Sequence, residues 1–302
     1  RRFIEWAVKN DVDFIAHSFV RSARDIRAVQ DILDAHGSNI KIISKIENQE
    51  GIDNIDEILT VADGIMVARG DLGVECPLQT VPVLQKKIVN ACRKYARPVI
   101  VATQMLESMI EKPTPTRAEV SDVATAVYDG ADAVMLSAET AAGKYPVEAV
   151  KMMNKIITQV EADPLFFQYM KNLQSVSCCM GEADSITYAA SEISKVLKNV
   201  KAVVTYTSSG RTTFLVSRER PDIPIVAVTP NIKVARQLGL VWGARRFINE
   251  STFQSFDRFE DVAKTVALAS GAANKGDHII ITGGFPLGVK GRTNMLHTVY
   301  ID

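Results

Sequence analysis

The 302-residue sequence is poor in the residues that announce most small-site chemistries: four cysteines, four histidines and two tryptophans. Two of the cysteines are adjacent, Cys178 and Cys179, which makes neither a disulfide framework nor a metal knuckle, so a reducing compartment is expected. No excess of either charge is present, since 35 basic residues meet 35 acidic ones, and a neutral chain offers no basic surface for gripping nucleic acid. No apolar run approaches the roughly 20 residues that span a bilayer, which argues against a membrane role. No Ser/His/Asp hydrolase pattern occurs, and His17, beside Ser18 on the first strand-like run, reads more readily as a structural histidine than a catalytic one.

What is present is ordinary for a globular protein with a sizeable core, most simply two domains: 47% hydrophobic and 23% charged residues. The charge is split, with 19 basic against 22 acidic residues over 1–160 and 16 against 13 over 161–302, which suits a second half that handles an anion. The chain opens without Met, and Phe3, Trp6 and Ala7 already recur at helical spacing, so it reads as a piece of something longer that starts inside a helix.

Over residues 1–160, strand-like runs at Phe14–Phe19, Ile42–Ile46, Gly64–Ala68, Val99–Ala102 and Ala133–Leu136 alternate with amphipathic patterns such as Ile26/Val29/Leu33 and Leu84/Ile88/Ala91. That spacing is the length of a βα unit, and five in succession imply a parallel sheet, either part of a (β/α) barrel or an open doubly wound sheet. Residues 161–185 lose clean periodicity and read as a linker. A second, smaller α/β domain follows over 186–302, beginning with a helix at Ile186–Leu197 and ending in apolar runs at Ile279–Thr282 and Leu296–Ile301.

The polar residues gather at the ends of the runs. Period-two alternation places Lys45 and Glu47 on one face of the second strand, at the C-terminal end where α/β folds bind ligands. The third run leads into Arg69-Gly70-Asp71, where the glycine permits a tight turn and amides aimed at an anion. Glu47 and Asp71 would then be hard oxygen ligands at neighbouring strand ends, a set suited to Mg2+ or Mn2+, although Asp71 could equally be a helix cap. Thr103 ends the fourth run, and Ser137 with Glu139 ends the fifth. One such hydroxyl is usually a cap, but four strands in a row each bringing a polar group to one rim point to a site. In the second domain, Thr207-Ser208-Ser209-Gly210-Arg211-Thr212 follows a strand and opens a helix, a composition suited to a phosphate or to an ordinary capped turn.

The segments Ile43–Asn48, Met66–Gly73, Ala102–Met109 and Pro115–Glu119, in this order and spacing, resemble pyruvate kinase, and the similarity runs through Asp129–Asp132 into the second domain. The resemblance implies strands four to eight of a (β/α)8 barrel, five of its eight βα units, followed by a three-layer α/β regulatory domain. It implies phosphoryl transfer between phosphoenolpyruvate and ADP, giving pyruvate and ATP in the last step of glycolysis. Lys45 would steady the moving phosphoryl group, and Glu47 and Asp71 would hold Mg2+ or Mn2+. Gly70, Asp71 and Thr103 would grip the substrate carboxylate, and Ser137 and Glu139 would belong to the relay protonating the enolate. The loop from Thr207 to Thr212 would take the phosphate of an allosteric sugar phosphate or nucleotide, aided by cations from Gly288–Thr293. A cytoplasmic homotetramer is implied as well.

By the same resemblance, three barrel strands, a lid domain, a phosphate-binding Arg and the K+ ligands precede the segment that opens here. Little turnover is therefore expected of this chain alone. A metal-dependent aldolase or lyase is another reading, but it explains neither Lys45 two residues before Glu47 nor the phosphate loop; a third is a non-catalytic module whose second domain binds a phosphorylated metabolite while the partial barrel is a scaffold.

Overall fold

The structure, a computed structural model, describes residues 1–172, 181–249, 256–286 and 292–302. The chain divides into two compact units, Arg1–Leu173 and Gln174–Asp302.

The first unit opens with α1 (Arg2–Lys9), β1 (Phe14–His17), α2 (Ala23–Ala35), β2 (Lys41–Ile46), α3 (Gln49–Asp53), α4 (Ile55–Val61) and β3 (Gly64–Ala68). It continues through α5 (Arg69–Glu75), α6 (Val81–Lys94), β4 (Val99–Ala102), α7 (Arg117–Tyr128), β5 (Ala133–Met135), α8 (Ala138–Ala141), α9 (Pro146–Glu161) and α10 (Pro164–Asn172). Local chemistry sets several of these boundaries. Thr116 caps α7 reciprocally: its hydroxyl accepts from the Glu119 amide, and the Glu119 carboxylate accepts from the Thr116 amide at 2.7 Å. Asp25 reaches back in the same way to the Ser22 amide ahead of α2.

All five strands are parallel and lie in sequence order, β1-β2-β3-β4-β5. That order decides between the two architectures left open above. Right-handed crossovers that always step the same way put every helix on one face, which is the winding of a barrel; a doubly wound sheet must reverse direction. The core agrees, because Ile42, Ile46, Ile65, Val67, Val99 and Val101 pack with Ile26, Leu33, Ile58, Ile88 and Val123 in one cluster on the helix side. The alternate residues, among them Ile43, Met66, Ile100 and Met135, take the other face.

The division between the two units, at 173/174, falls within the stretch 161–185, and part of that stretch is helical. Helix α10 occupies 164–172 and buries Phe166 and Met170, four residues apart, with the Phe166 and Tyr169 rings against Tyr128 of α7. Leu165 and Tyr169 stay half-exposed on the same helix, which blurs the apolar spacing in the sequence. Residues 173–180 lie outside those described.

The second unit comprises α11 (Glu182–Val196), β6 (Val200–Tyr206), α12 (Arg211–Arg218), β7 (Ile225–Thr229), α13 (Ile232–Gln237) and β8 (Ala244–Ile248), then α14 (Phe256–Ala269), β9 (His278–Gly283) and β10 (Met295–Tyr300). The sheet order is β10-β9-β6-β7-β8, parallel except for β10. Ala190, Val216, Val203 and Ile280 pack on one face, while Phe259, Ala263, Val204 and Ile281 pack on the other, giving three layers. Helix α11 starts at Glu182, a turn before the expected Ile186.

Candidate active site

The C-terminal ends of β2, β3, β4 and β5 form one rim, and the polar residues expected there are on it. Lys45 lies in register with Met66, and Glu47 follows directly after β2. Lys45 and Glu47 form an ion pair, and Lys45 Nζ also donates to Ser18 Oγ at 3.2 Å. Glu47 is fully buried, and its Oε2 accepts from the Phe19 amide at 2.5 Å. Phe19 has φ 53°, a left-handed backbone that is uncommon for a bulky residue and that turns its amide onto the carboxylate.

Gly70 and Asp71 lie in the first turn of α5, where Gly70 has no positive φ. The special turn expected at this glycine is instead at Thr103 and Gln104, with φ 71° and 54°. Two successive left-handed residues without a glycine cost conformational energy and need outside support. Part of it comes from the Gly70 amide, which donates to Thr103 Oγ1 at 2.9 Å, while Thr103 Oγ1 donates to the Ala102 carbonyl at 2.6 Å. The Gly70 amide is thus engaged within the rim rather than aimed outward. Asp71 is exposed.

Glu139, expected to join Ser137 in a proton relay, is held by two backbone amides. It is 2% exposed, with Oε1 accepting from the Leu106 amide at 3.1 Å and Oε2 from the Ser137 amide at 2.7 Å. Both oxygens are used to tie the loop after β4 to the loop after β5, so Glu139 orients Ser137. His17 pairs in register with Ser44, on the face opposite Lys45, and burial lowers its pKa while Asp25 opposes that.

Two carboxylates stand on this rim, one buried and one exposed. Among the described residues Glu47 Oε1 has the Lys45 ammonium as its one partner, and Asp71, in the first turn of α5, offers a second hard oxygen after the neighbouring strand. Mg2+ commonly takes one or two carboxylates and completes its shell with water and substrate oxygens. Among the described residues no group of three or more His, Cys, Asp or Glu side chains could hold a metal unaided.

Sequence reasoning missed one participant. The Arg69 guanidinium, mostly buried, donates through Nη2 to the Thr103 carbonyl at 2.6 Å and through Nε to the Ala102 carbonyl at 3.3 Å. Its Nη1 donates to Asp122 Oδ1 at 2.7 Å and reaches Gln85 Oε1 at 3.4 Å. An arginine directly after five buried strand residues was the available signal, since such a charge must find partners.

In the second unit, the loop from Thr207 to Thr212 spends part of its polar capacity on itself. Thr207 Oγ1 accepts from the Gly210 amide at 2.8 Å, the Thr212 hydroxyl bonds the Thr293 hydroxyl at 2.7 Å, and Gly210 takes the left-handed φ of 90° that starts α12. Ser209 and Arg211 are left exposed, and Ser208 half-buried. Of the Gly288–Thr293 segment, 288–291 lie outside the described residues.

A parallel, singly wound sheet defines a barrel-type α/β unit, joined in the chain to a separate three-layer unit. Residues 1–150 match the family model "Pyruvate kinase, barrel domain" and residues 184–299 match "Pyruvate kinase, alpha/beta domain". The chain is 47% identical over 294 residues to the pyruvate kinase of Staphylococcus epidermidis (RP62A) and 48% identical over 295 residues to that of Staphylococcus haemolyticus; each match takes 97% of this chain and 50% of the relative. It is 46% identical over 303 residues to the pyruvate kinase of Geobacillus stearothermophilus, covering 98% of this chain and 50% of that protein. The chain belongs to the pyruvate kinase family. It spans about half the length of the curated relatives it matches.

Among the described residues, no helix is long and apolar enough to cross a membrane.

Proposed function

We propose that the rim of the first unit takes part in phosphoryl transfer from phosphoenolpyruvate to ADP. The observation that carries this reading is the ion pair of Lys45 with the buried Glu47 at the end of β2, with Gly70 and Thr103 hydrogen-bonded to each other just after β3 and β4. In the transfer, the bond from phosphorus to the enol oxygen breaks, a bond to the terminal phosphate oxygen of ADP forms, and the enolate carbon takes a proton to give pyruvate. Such a reaction asks the protein for position and positive charge rather than covalent chemistry.

Lys45 would lie against the transferring phosphoryl group and supply positive charge to it, while remaining the ion-pair partner of Glu47 in the absence of ligand. Glu47 and Asp71 hold Mg2+ or Mn2+, which when bound neutralises charge on phosphate and enolate oxygens. The substrate carboxylate takes the Thr103 hydroxyl and the Gly70 and Asp71 amides, Gly70 exchanging its internal acceptor for the ligand. The Ser137 hydroxyl, oriented by Glu139, lies on the path of the proton to the enolate carbon. K+ dependence, a cytoplasmic setting, homotetramer assembly and response to a phosphorylated sugar or nucleotide at Thr207–Thr212 belong to the same reading and are supported by family membership alone.

Calorimetry of phosphoenolpyruvate with Mg2+ on this chain, beside a coupled pyruvate-release assay, tests the reading. Binding is expected with low turnover. Lys45→Met should weaken phosphoenolpyruvate while leaving oxalate, a mimic of the enolate without phosphate, unaffected; equal affinities for phosphoenolpyruvate before and after the change would overturn it. For the second unit, a phosphorylated sugar should bind in a manner lost in Arg211→Ala, and identical isotherms would remove that site.

A further inference from the structure

We propose that Arg69 is a positioning residue that holds Thr103 in its substrate-facing conformation, an inference that rests on the reading of the rim given above. Thr103 and Gln104 both adopt left-handed backbone angles, and L-residues leave that region unless something holds them. The Gly70–Thr103 hydrogen bond holds only the side chain, whereas the backbone is held by Arg69. Its guanidinium bonds the carbonyls of the two peptide units that flank Thr103, those of Ala102 and Thr103, and reaches Met105 Sδ at 3.2 Å.

The fork is itself fixed from behind. Asp122 of α7 takes Nη1, and Gln85 of α6, next to it, donates onward to Asp129 Oδ2 at 2.9 Å, where Lys86 adds an ion pair. Two helices thus brace one arginine, and the arginine braces one bend. The planar guanidinium is needed because it must meet two carbonyls and a carboxylate at once; an ammonium has the charge but not the fixed fork. Arg69, its side chain 9% exposed, brings its charge to the turn.

The test uses the 302-residue chain with two readouts. The first is amide hydrogen exchange without ligand, where Arg69→Lys should lower protection of the Gly70 and Met105 amides by about tenfold, with protection in β1 unchanged. Unchanged protection at Gly70 and Met105 overturns the inference whatever the rim binds. The second is a double-mutant cycle read as phosphoenolpyruvate affinity with Mg2+. Arg69→Lys should weaken binding about tenfold in the parent chain, about 1.4 kcal/mol, and by less than twofold once Thr103→Val is present. A merely structural arginine would give effects that multiply, and that result overturns the inference while leaving the reading of the rim intact. Failure of the parent chain to bind, or of Thr103→Val to weaken binding, counts against that reading and takes the inference with it. Asp122→Asn, which keeps the fork but loosens its anchor, should give a smaller loss of the same protection.

Discussion

Lys45 and Glu47, two residues apart at the end of β2, face each other as an ion pair in which the carboxylate is fully buried and the ammonium is partly open to solvent. The asymmetry matters physically. The acid cannot relax into water if its partner leaves, whereas the lysine can.

Removing Lys45 should therefore cost stability as well as binding. Lys45→Met leaves a buried charge uncompensated, and an unfolding loss of up to about 3 kcal/mol is expected by urea titration. Adding Glu47→Gln should restore much of it, because the buried charge is then gone. A double variant no more stable than Lys45→Met would show that the pair is not what Lys45 contributes.

Glu139 makes a sharper case, since both its oxygens accept backbone amides. In Glu139→Gln one amide must face an NH2 donor instead of an acceptor, which costs about 1–3 kcal/mol. The urea midpoint should fall with the slope unchanged, as expected for lost native contacts in a chain that unfolds to the same state. A midpoint equal to the parent's would mean that the carboxylate does not bind the two loops together.

The pH dependence of stability should carry a mark from Glu119. Burial pushes its pKa up, but the hydrogen bonds from Ser108 and Thr116 outweigh this and hold it below the ordinary value of 4.5. Because the folded pKa is depressed, Glu119 adds stability that is complete above the ordinary value and is lost as pH falls through the folded one. The stability gap between the parent chain and Glu119→Gln should be constant near neutrality and close in acid. A gap independent of pH would contradict this.

Cys92 should be inert. It is fully buried, and desolvation followed by the nearby Asp132 charge drives its thiol pKa well up, so almost no thiolate exists near neutral pH. Peptide-resolved alkylation of the native protein should leave Cys92 unmodified until denaturant is added. Labelling at the rate of an exposed thiol would mean that this part of the core opens.

Much of the first unit was legible because its signals are local. Alternation along β2 placed Lys45 with Glu47, and βα spacing located the five strands. What escaped was non-local. Arg69 finds Gln85 and Asp122 at 16 and 53 residues' distance, and no spacing rule links them. The hydrogen bond from the Leu106 amide to Glu139 joins residues 33 apart in the chain, and no local pattern links them. The turn misassigned to Gly70 shows the same limit, since glycine permits a left-handed backbone while tertiary contacts can impose one on threonine.

The sequence by itself determined which residues reach the rim, because strand periodicity and βα spacing are properties of neighbouring residues. Only the tertiary structure decided that the strands wind in one direction, and which rim groups are free for a ligand and which are already spent on the protein. A donor's or acceptor's availability depends on what the fold brings within about 3 Å of it, and that partner is in most cases far away along the chain.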